Sequence, residues 1–226
     1  MADSFYDFHG LQNEVQKHLK KEGYLETQPS PDLAALVNQA WAEFSWDTEC
    51  VEAQGTATTA GVSTGPEFLA LDAPSWKSLY HVRYGTADSY LDESSLRAEM
   101  DTNPHLLTAG VSTPTRYALS EPDVLVLIPG SSTVGTTVTF RGIREGTALS
   151  ADNDEPACPK VFRSGIVYRA ALIHLNAYCK EMERLGYYQA LYDQQVKKLK
   201  TYLAPLRARG AVRRTPRRYA ERVRIC

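Results

Sequence analysis

Apolar residues near the N-terminus follow the period of an α-helix. The first run recurs at steps of three and four before Gly23, which predicts a short amphipathic helix with one apolar face: Phe8, Leu11, Val15 and Leu19. A second helix is predicted at Ser30-Pro31-Asp32, because this sequence offers a cap, a proline at the first helical position and an acid in the first turn. Its apolar stripe comprises Leu33, Leu36, Val37, Ala40, Trp41 and Phe44.

Between residues 48 and 151 the helical period is lost and short alternating runs replace it. Tyr80, Val82 and Tyr84 alternate as in a half-buried strand, and one or two turns of helix are predicted within residues 92–100. Three further runs, separated by turn sequences, predict a meander of neighbouring strands: residues 115–120, 124–128 and 136–143. We therefore expect an antiparallel sheet of three or more strands.

The helical period returns after the acidic loop at residues 152–156. A long helix is predicted from about residue 159 to 185, with Gly186 ending it, and a further helix follows to residue 206. The two should form a hairpin. The first helix has an apolar face made of Phe162, Ile166, Ala170, Ile173, Ala177 and Leu185. The second runs through Tyr188, Leu191, Tyr192, Gln195, Leu199, Tyr202 and Leu206.

These elements predict an α+β protein. The expected architecture is an antiparallel helical bundle, made of the long C-terminal helix hairpin plus the N-terminal helices, with an inserted antiparallel β region and an extended C-terminal tail. Residues 1–47 would hold the N-terminal helices, 48–151 the β-rich insertion, 152–206 the hairpin and 207–226 the basic tail. The tail is expected to be extended because it has no amphipathic period and Pro216 prevents a continuous helix.

Two further sequence features bear on where the protein works. The longest aliphatic run, residues 124–128, is far shorter than the roughly 20 residues that span a bilayer, so no transmembrane helix is expected. The first residues lack the features of a secretory signal, which favours a reducing compartment and free thiols.

Charge is distributed very unevenly along the chain, although the net charge is only −2. Residues 197–226 contain three lysines, eight arginines and one acid, a net charge of +10, which leaves −12 on residues 1–196. This asymmetry is typical of an acidic body with a basic arm. Such arms bind nucleic acid, a membrane surface or an acidic protein groove.

The sequence contains no convincing catalytic or metal-binding motif. The four cysteines, at positions 50, 158, 179 and 226, form no C-x-x-C pair and have no histidine at ligand spacing, and the five histidines are scattered. Gly61-Val62-Ser63-Thr64-Gly65 matches the nucleophile elbow by letter, but Pro66 and a strand-like run follow where a helix is needed. We therefore predict a protein that is not an enzyme and has no metal or cofactor.

Tyrosines and the arginine tail are the candidate binding features. Tyrosine is enriched at protein interfaces, so residues along the hairpin are predicted to contact other subunits, with a core role open for some of them: Tyr178, Tyr188, Tyr192 and Tyr202. The tail has two interpretations. It is either a solvated terminus or an arm that docks on acidic protein or nucleic acid, since apolar residues alternate with its arginines: Val212, Tyr219, Val223 and Ile225.

The order of these elements matches a known family. The predicted order is two N-terminal helices, a G-x-x-x-P-x-x-Y turn, two apolar strands and a helix hairpin with an arginine tail. The residues that carry the match are Gly110, Pro114, Tyr117, 124–129, 138–140 and 162–202. In this order the chain resembles the head-to-tail adaptor (connector) proteins of tailed bacteriophages. The resemblance implies a structural ring, commonly of twelve copies, between portal and tail. Such a ring extends the DNA channel and provides the tail attachment site.

The resemblance also implies partners and a location. These would be the portal protein, tail or nozzle proteins and genomic DNA that passes without sequence-specific binding. The protein would belong to the virion at the head–tail junction after synthesis in the host cytoplasm, away from any membrane. Helices near residues 33–46 and 159–206 would build the ring, and the sheet near 115–143 would meet tail components. The tail would bind the portal through Arg213, Arg214, Arg217, Arg218, Tyr219, Arg222, Val223, Arg224 and Ile225. The residues alone also allow a nucleic-acid-binding protein that uses its arginine-rich tail.

Overall fold

A computed structural model describes residues 7–21, 32–87, 89–120, 123–178 and 182–212. Within these ranges the chain is an α+β protein with five α-helices and two β-sheets, which confirms the predicted class. The chain divides into two compact units, a helical unit of Met1–Cys50 and Leu149–Cys226 and a β unit of Val51–Ala148. The helices are α1 (Phe8–Lys21), α2 (Leu33–Thr48), α3 (Leu96–Thr102), α4 (Ser164–Tyr178) and α5 (Met182–Val212).

The first two helices follow their sequence patterns closely. The predicted stripe of α1 is buried in full, and most of the α2 stripe is buried with it. One detail differs, because the Asp32 carboxylate accepts the backbone N–H of Ala35 at 3.0 Å and so caps α2 itself. Ser30 and Pro31, which were expected to open this helix, lie outside the described residues. Helices α1, α2 and α4 pack against one another, and α5 packs on α2 and α4.

The C-terminal helices begin and end elsewhere than predicted. Gly186, which was expected to end a helix, lies inside α5, and α5 continues through Pro205 to Val212. Its 31 residues span roughly 46 Å, so α5 is twice as long as α4. Residues 207–212, expected in an extended tail, are therefore helical. Across the described ranges, no helix is long and apolar enough to cross a membrane.

The buried surface of α4 is wider than the predicted apolar face. Ile166 and Ala170 are fully buried as expected, whereas Ile173 is half-buried and Ala177 is exposed. A neighbouring row is buried in their place: Val167, Ala171, Leu172 and Leu175. Contacts on several sides explain the wider burial, because α4 packs against α1, α2 and α5. The approach to α2 is close, since a Cβ atom on Gly165 would lie only 2.5 Å from Cε2 of Phe44.

The β unit is a sandwich of two sheets. The strands described are β1 (Glu52–Thr58), β2 (Glu67–Ala70), β3 (Trp76–Tyr84), β4 (Asp92–Glu93), β5 (Arg116–Leu119), β6 (Val124–Ile128) and β7 (Thr137–Arg144). One sheet has the order β1-β7-β3 and is antiparallel, and the other has the order β2-β6-β5-β4. Their facing sides share one apolar core, which includes Trp76, Val82, Leu125, Leu127 and Phe140. Leu106 and Leu96 pack on the opposite side of the four-stranded sheet.

The predicted meander is only partly confirmed. Strands β5 and β6 pair as antiparallel neighbours, as expected. Strand β7 instead lies between β1 and β3 in the other sheet, so that Val138 and Phe140 close the core from the side opposite Leu125 and Leu127. The four-stranded sheet is also not wholly antiparallel, because β4 pairs with β5 in parallel.

Candidate functional site

The described side chains form no cluster suited to metal binding, and the thiols and the serine that the sequence singled out are poorly placed as nucleophiles. In the described ranges, no cluster of three or more His, Cys, Asp or Glu residues could hold a metal ion. Burial raises the pKa of the Cys50 thiol and raises the pKa of Cys158 to about 12, so neither is a ready thiolate nucleophile at neutral pH. Ser63 lies between β1 and β2 rather than in a strand-to-helix turn, which removes the nucleophile-elbow interpretation.

Tyr188 and Tyr192 hold α5 against its own helical unit. The Tyr188 hydroxyl lies 3.2 Å from Nδ1 of His18 on α1, and the two rings meet edge to face. The Tyr192 hydroxyl donates to Oδ2 of Asp47 on α2 at 2.6 Å. Only 2% and 3% of the two tyrosines remain exposed. Their rings have almost no surface left for a neighbouring subunit, which favours the core role that the sequence left open for some of these tyrosines.

The surroundings of Tyr192 keep its hydroxyl protonated. Burial is the main cause that raises the pKa of Tyr192, and the hydrogen bond and charge of Asp47 add to it. The Arg169 guanidinium lies 5.3 Å from the ring centroid and pairs with Glu43 of α2. Tyr192 is thus a neutral donor within a partly buried polar network that ties α2, α4 and α5 together.

Tyr202 differs from these two tyrosines, because half of it is exposed. Its ring centroid lies 5.4 Å from that of Phe162, and Leu206, one helical turn further on, is also 50% exposed. Val161, beside Phe162, is 74% exposed. We call Val161, Phe162, Tyr202 and Leu206 the α5 patch. An exposed aromatic ring with aliphatic neighbours has the composition of the centre of a protein interface.

Cations precede and follow Tyr202 and Leu206 along α5. Lys197, Lys198 and Lys200 are exposed, and α5 has no acid after Asp193. Arg207 holds this part of the helix to the end of α2, since its Nη1 lies 3.1 Å from Oε2 of Glu49 and its Nη2 donates to the Glu49 carbonyl at 2.5 Å. Helix α5 is therefore held to α2 at Arg207, and its lysines are exposed.

The remaining predicted site residues lie outside the described residues. These are the tail positions Arg213, Arg214, Arg217, Arg218, Tyr219, Arg222, Val223, Arg224 and Ile225, together with the side chain of Tyr178. Val161 was not predicted as a surface residue. Its signal was weak, because it precedes Phe162 in a 3-10 turn at Lys160–Phe162 that has no period of its own.

Comparison with known protein families gives a match over most of the chain. A family model described as SU10 adaptor protein matches residues 6–219, which include every helix and strand described above. No curated protein matches the sequence. The matched family is one of structural phage adaptors rather than enzymes.

Proposed function

The chain belongs to the SU10 adaptor protein family, and on that premise we propose that it forms a ring of identical subunits between the portal and the tail of a tailed phage. Its family makes it a structural phage adaptor and a component of the virion. In the proposed ring, the helical unit is an antiparallel bundle that surrounds a channel for genomic DNA. The β unit meets tail or nozzle proteins, and twelve is the copy number that the resemblance leads us to expect.

The α5 patch is the observation that supports subunit contacts. In a ring with cyclic symmetry, each subunit presents one surface to the neighbour on its left and a different one to the neighbour on its right. Tyr202 and Leu206 offer an apolar anchor for one of these surfaces, with lysines at its edge. Tyr188 and Tyr192 act inside the subunit and keep α5 in place.

Charge supports the proposed conduit and its link to the portal. Residues 1–196 carry −12, and an acidic channel wall repels DNA, so that the genome slides through without being held. The tail carries most of the opposing positive charge. Because α5 remains helical to Val212, the arm that binds the portal is residues 213–226.

Co-expression with the portal protein of the same phage tests the ring. We expect native mass spectrometry and electron microscopy to find many copies of the chain per portal, arranged with cyclic symmetry. A complex with one copy per portal assembly, or no complex at all, would contradict the proposal.

A pair of variants on α5 tests the subunit contact. Tyr202→Asp combined with Leu206→Asp places two charges in the α5 patch and should abolish assembly while leaving the far-ultraviolet circular dichroism of the free chain unchanged. Tyr187→Asp is the matched control, because Tyr187 is another exposed tyrosine on α5, outside the patch. Normal assembly by the double variant would show that the patch is not an interface.

A nucleic-acid-binding protein is the second candidate, favoured by the net charge of +10 on residues 197–226. A protein that binds DNA through this segment loses affinity steeply as salt rises, with a logarithmic slope close to the number of phosphates contacted. The proposed adaptor should instead show weak binding to duplex DNA. It should also lose attachment to the portal when residues 213–226 are deleted, whereas tight, salt-dependent DNA binding by the full chain would favour the second candidate.

A further inference from the structure

A groove on the outer face of the three-stranded sheet contains side chains that the helical ring does not use. Its polar lining consists of Gln54 on β1, Arg141 and Thr139 on β7, His81 and Arg83 on β3, and Tyr90. The register places Gln54 opposite Arg141, and Thr139 opposite Arg83. The groove therefore contains two guanidinium groups, those of Arg141 and Arg83, which come from neighbouring cross-strand pairs of the sheet.

An irregularity in β3 is what brings Arg83 to this face. The pairing of β3 with β7 shifts between Tyr80 and Arg83, and His81 in this stretch has a left-handed backbone with φ of 53°. Leu79 and Val82 are both buried, so the extra residue resets the alternation and directs Arg83 outward. A regular strand would have placed Arg83 on the same side as Leu79, against the apolar core. Bulges and left-handed residues of this kind concentrate at binding sites.

Tyr90 forms an aromatic wall beside the two cations. The backbone N–H of Leu91 donates to the Val82 carbonyl at 2.8 Å, which holds this segment along β3. The Tyr90 ring stacks on the His81 ring with centroids 4.8 Å apart and an angle of 26°. Tyr90 nevertheless remains 58% exposed. Tyrosine and arginine are both enriched at binding hot spots.

Arg83 and Arg141 are exposed, and neither forms an ion pair with any carboxylate in the part of the chain that the structure describes. Other arginines behave differently. Arg116 pairs with Glu99 in the same unit, and Arg163 pairs with Glu155 in the helical unit. Two adjacent guanidinium groups that lack a carboxylate partner among the described residues favour an anionic ligand, because the planar fork of arginine matches a carboxylate or phosphate.

The charge of the β unit decides between these two ligands. Residues 51–148 contain six lysines and arginines and eleven aspartates and glutamates, a net charge of −5. A long polyanion such as DNA is repelled by the whole unit, whereas a short segment with a few carboxylates meets mainly the local field of the two arginines. We propose that this groove binds an extended acidic segment of a partner protein. The inference stands apart from the ring, because it concerns the free chain and needs no assembly.

Carboxylates of the acidic segment pair with Arg83 and Arg141, Gln54 and Thr139 supply neutral hydrogen-bonding groups, and Tyr90 covers the aliphatic part of the bound side chains. The protein's own arginine-rich tail is excluded as an occupant, since its charge has the same sign as the groove.

Fluorescence anisotropy with the full chain and a dye-labelled hexaglutamate peptide tests the proposal. We expect binding that weakens with salt, and Arg141→Glu or Arg83→Glu should weaken it about tenfold or more. Arg97→Glu is the matched control, because Arg97 is exposed in the same unit outside the groove and changes the net charge equally. Arg141→Lys should restore part of the affinity, and Tyr90→Ala should reduce it without changing its salt dependence.

Three results would overturn the inference. The first is absence of measurable peptide binding by the intact chain. The second is an equal loss of affinity in Arg97→Glu and Arg141→Glu, which would mean that the peptide responds only to net charge. The third is a thymidine oligonucleotide of equal charge that binds more tightly than the peptide and depends on Arg83 and Arg141, which would assign the groove to nucleic acid.

Discussion

Two helical glycines should respond to the same substitution with opposite signs. Gly186 lies in the second turn of α5, and a Cβ atom there would have no heavy atom within 4 Å. Gly165 lies in the first turn of α4, and a Cβ atom there would lie 2.5 Å from Cε2 and 2.9 Å from Cζ of Phe44. Gly186→Ala therefore measures the backbone effect of the substitution alone. Gly165→Ala measures the same backbone effect together with a steric clash.

The magnitudes follow from these surroundings. Alanine inside a helix is favoured over glycine by about 0.5–1 kcal/mol, because glycine loses more conformational freedom when the chain folds. Gly186→Ala should increase the free energy of unfolding by that amount. At Gly165 the added methyl group cannot fit unless the buried Phe44 ring moves, and overpacking of a core costs about 1–3 kcal/mol. The net effect at Gly165 should therefore be destabilising.

Urea unfolding followed by circular dichroism at 222 nm measures both changes, because most helical residues belong to the helical unit. For a chain of this size, the gain in Gly186→Ala corresponds to an increase in Tm of about 1–4 °C. Loss of stability in Gly186→Ala would refute a continuous α5, since it would mean that Gly186 has a backbone conformation that alanine cannot adopt. Unchanged stability in Gly165→Ala would refute the close packing of α4 on Phe44.

Two further predictions concern buried groups. Tyr192→Phe removes the hydrogen bond to Asp47 and should lower the free energy of unfolding by about 1.5–3 kcal/mol. Tyr202→Phe is the control, because its hydroxyl belongs to an exposed residue, and it should change the free energy of unfolding by less than about 0.5 kcal/mol. Equal effects of the two variants in urea unfolding would contradict the network around Tyr192. Cys158 should resist iodoacetamide at pH 8 in the folded protein and react in urea, as measured by peptide mass spectrometry, because its pKa is raised to about 12 by burial. The folded state keeps the Cys158 proton while the unfolded chain releases it near pH 8.5, so the contribution of Cys158 to stability is lost as pH rises from about 8.5 towards 12. Rapid alkylation of Cys158 in the folded protein would contradict its burial.

Local periodicity was enough to predict the helices near the N-terminus. The apolar residues of each helix, α1 and α2, recur every three or four positions, and most of these residues are buried. The local sequence pattern therefore coincides with the packing. The predicted helix end at Gly186 is wrong for a physical reason. A single glycine costs a helix only about 1 kcal/mol, and the burial of Tyr188, Tyr192 and Leu199 on the same helix outweighs that cost.

The arrangement of the sheets could not be predicted in the same way. Strand β7 pairs with β1, whose residues precede it by about 85 positions, and no turn sequence connects the two. Strand β1 is also hard to recognise, because it contains Gly55 and threonines rather than alternating apolar residues. Its glycine is required by packing, since a Cβ atom on Gly55 would lie 2.4 Å from the Phe140 ring. Long-range contacts of this kind leave no local pattern.

The candidate surfaces show the same limit. Tyr188, Tyr192 and Tyr202 all belong to one apolar stripe in the sequence, yet the first two are buried and the third is half exposed. The stripe has the same period along its length, but its tertiary contacts differ, since Tyr188 meets His18 of α1 and Tyr192 meets Asp47 of α2. Similarly, alternation predicted Tyr80, Val82 and Tyr84 on one face, whereas the bulge at His81 places Tyr80 and Val82 on opposite faces.

The lysines of α5 do not by themselves indicate a binding surface. Lysine keeps its charge hydrated on the solvent side of a helix, so Lys197, Lys198 and Lys200, which are exposed midway along α5, have a reason to be there in the isolated subunit. Exposed Tyr202 and Leu206 have no such reason, because apolar side chains gain nothing from contact with water. The apolar residues, and not the lysines, therefore distinguish an interface from an ordinary charged helix face. Loss of the lysines should slow association at low salt, whereas loss of Tyr202 and Leu206 should remove affinity at any salt concentration.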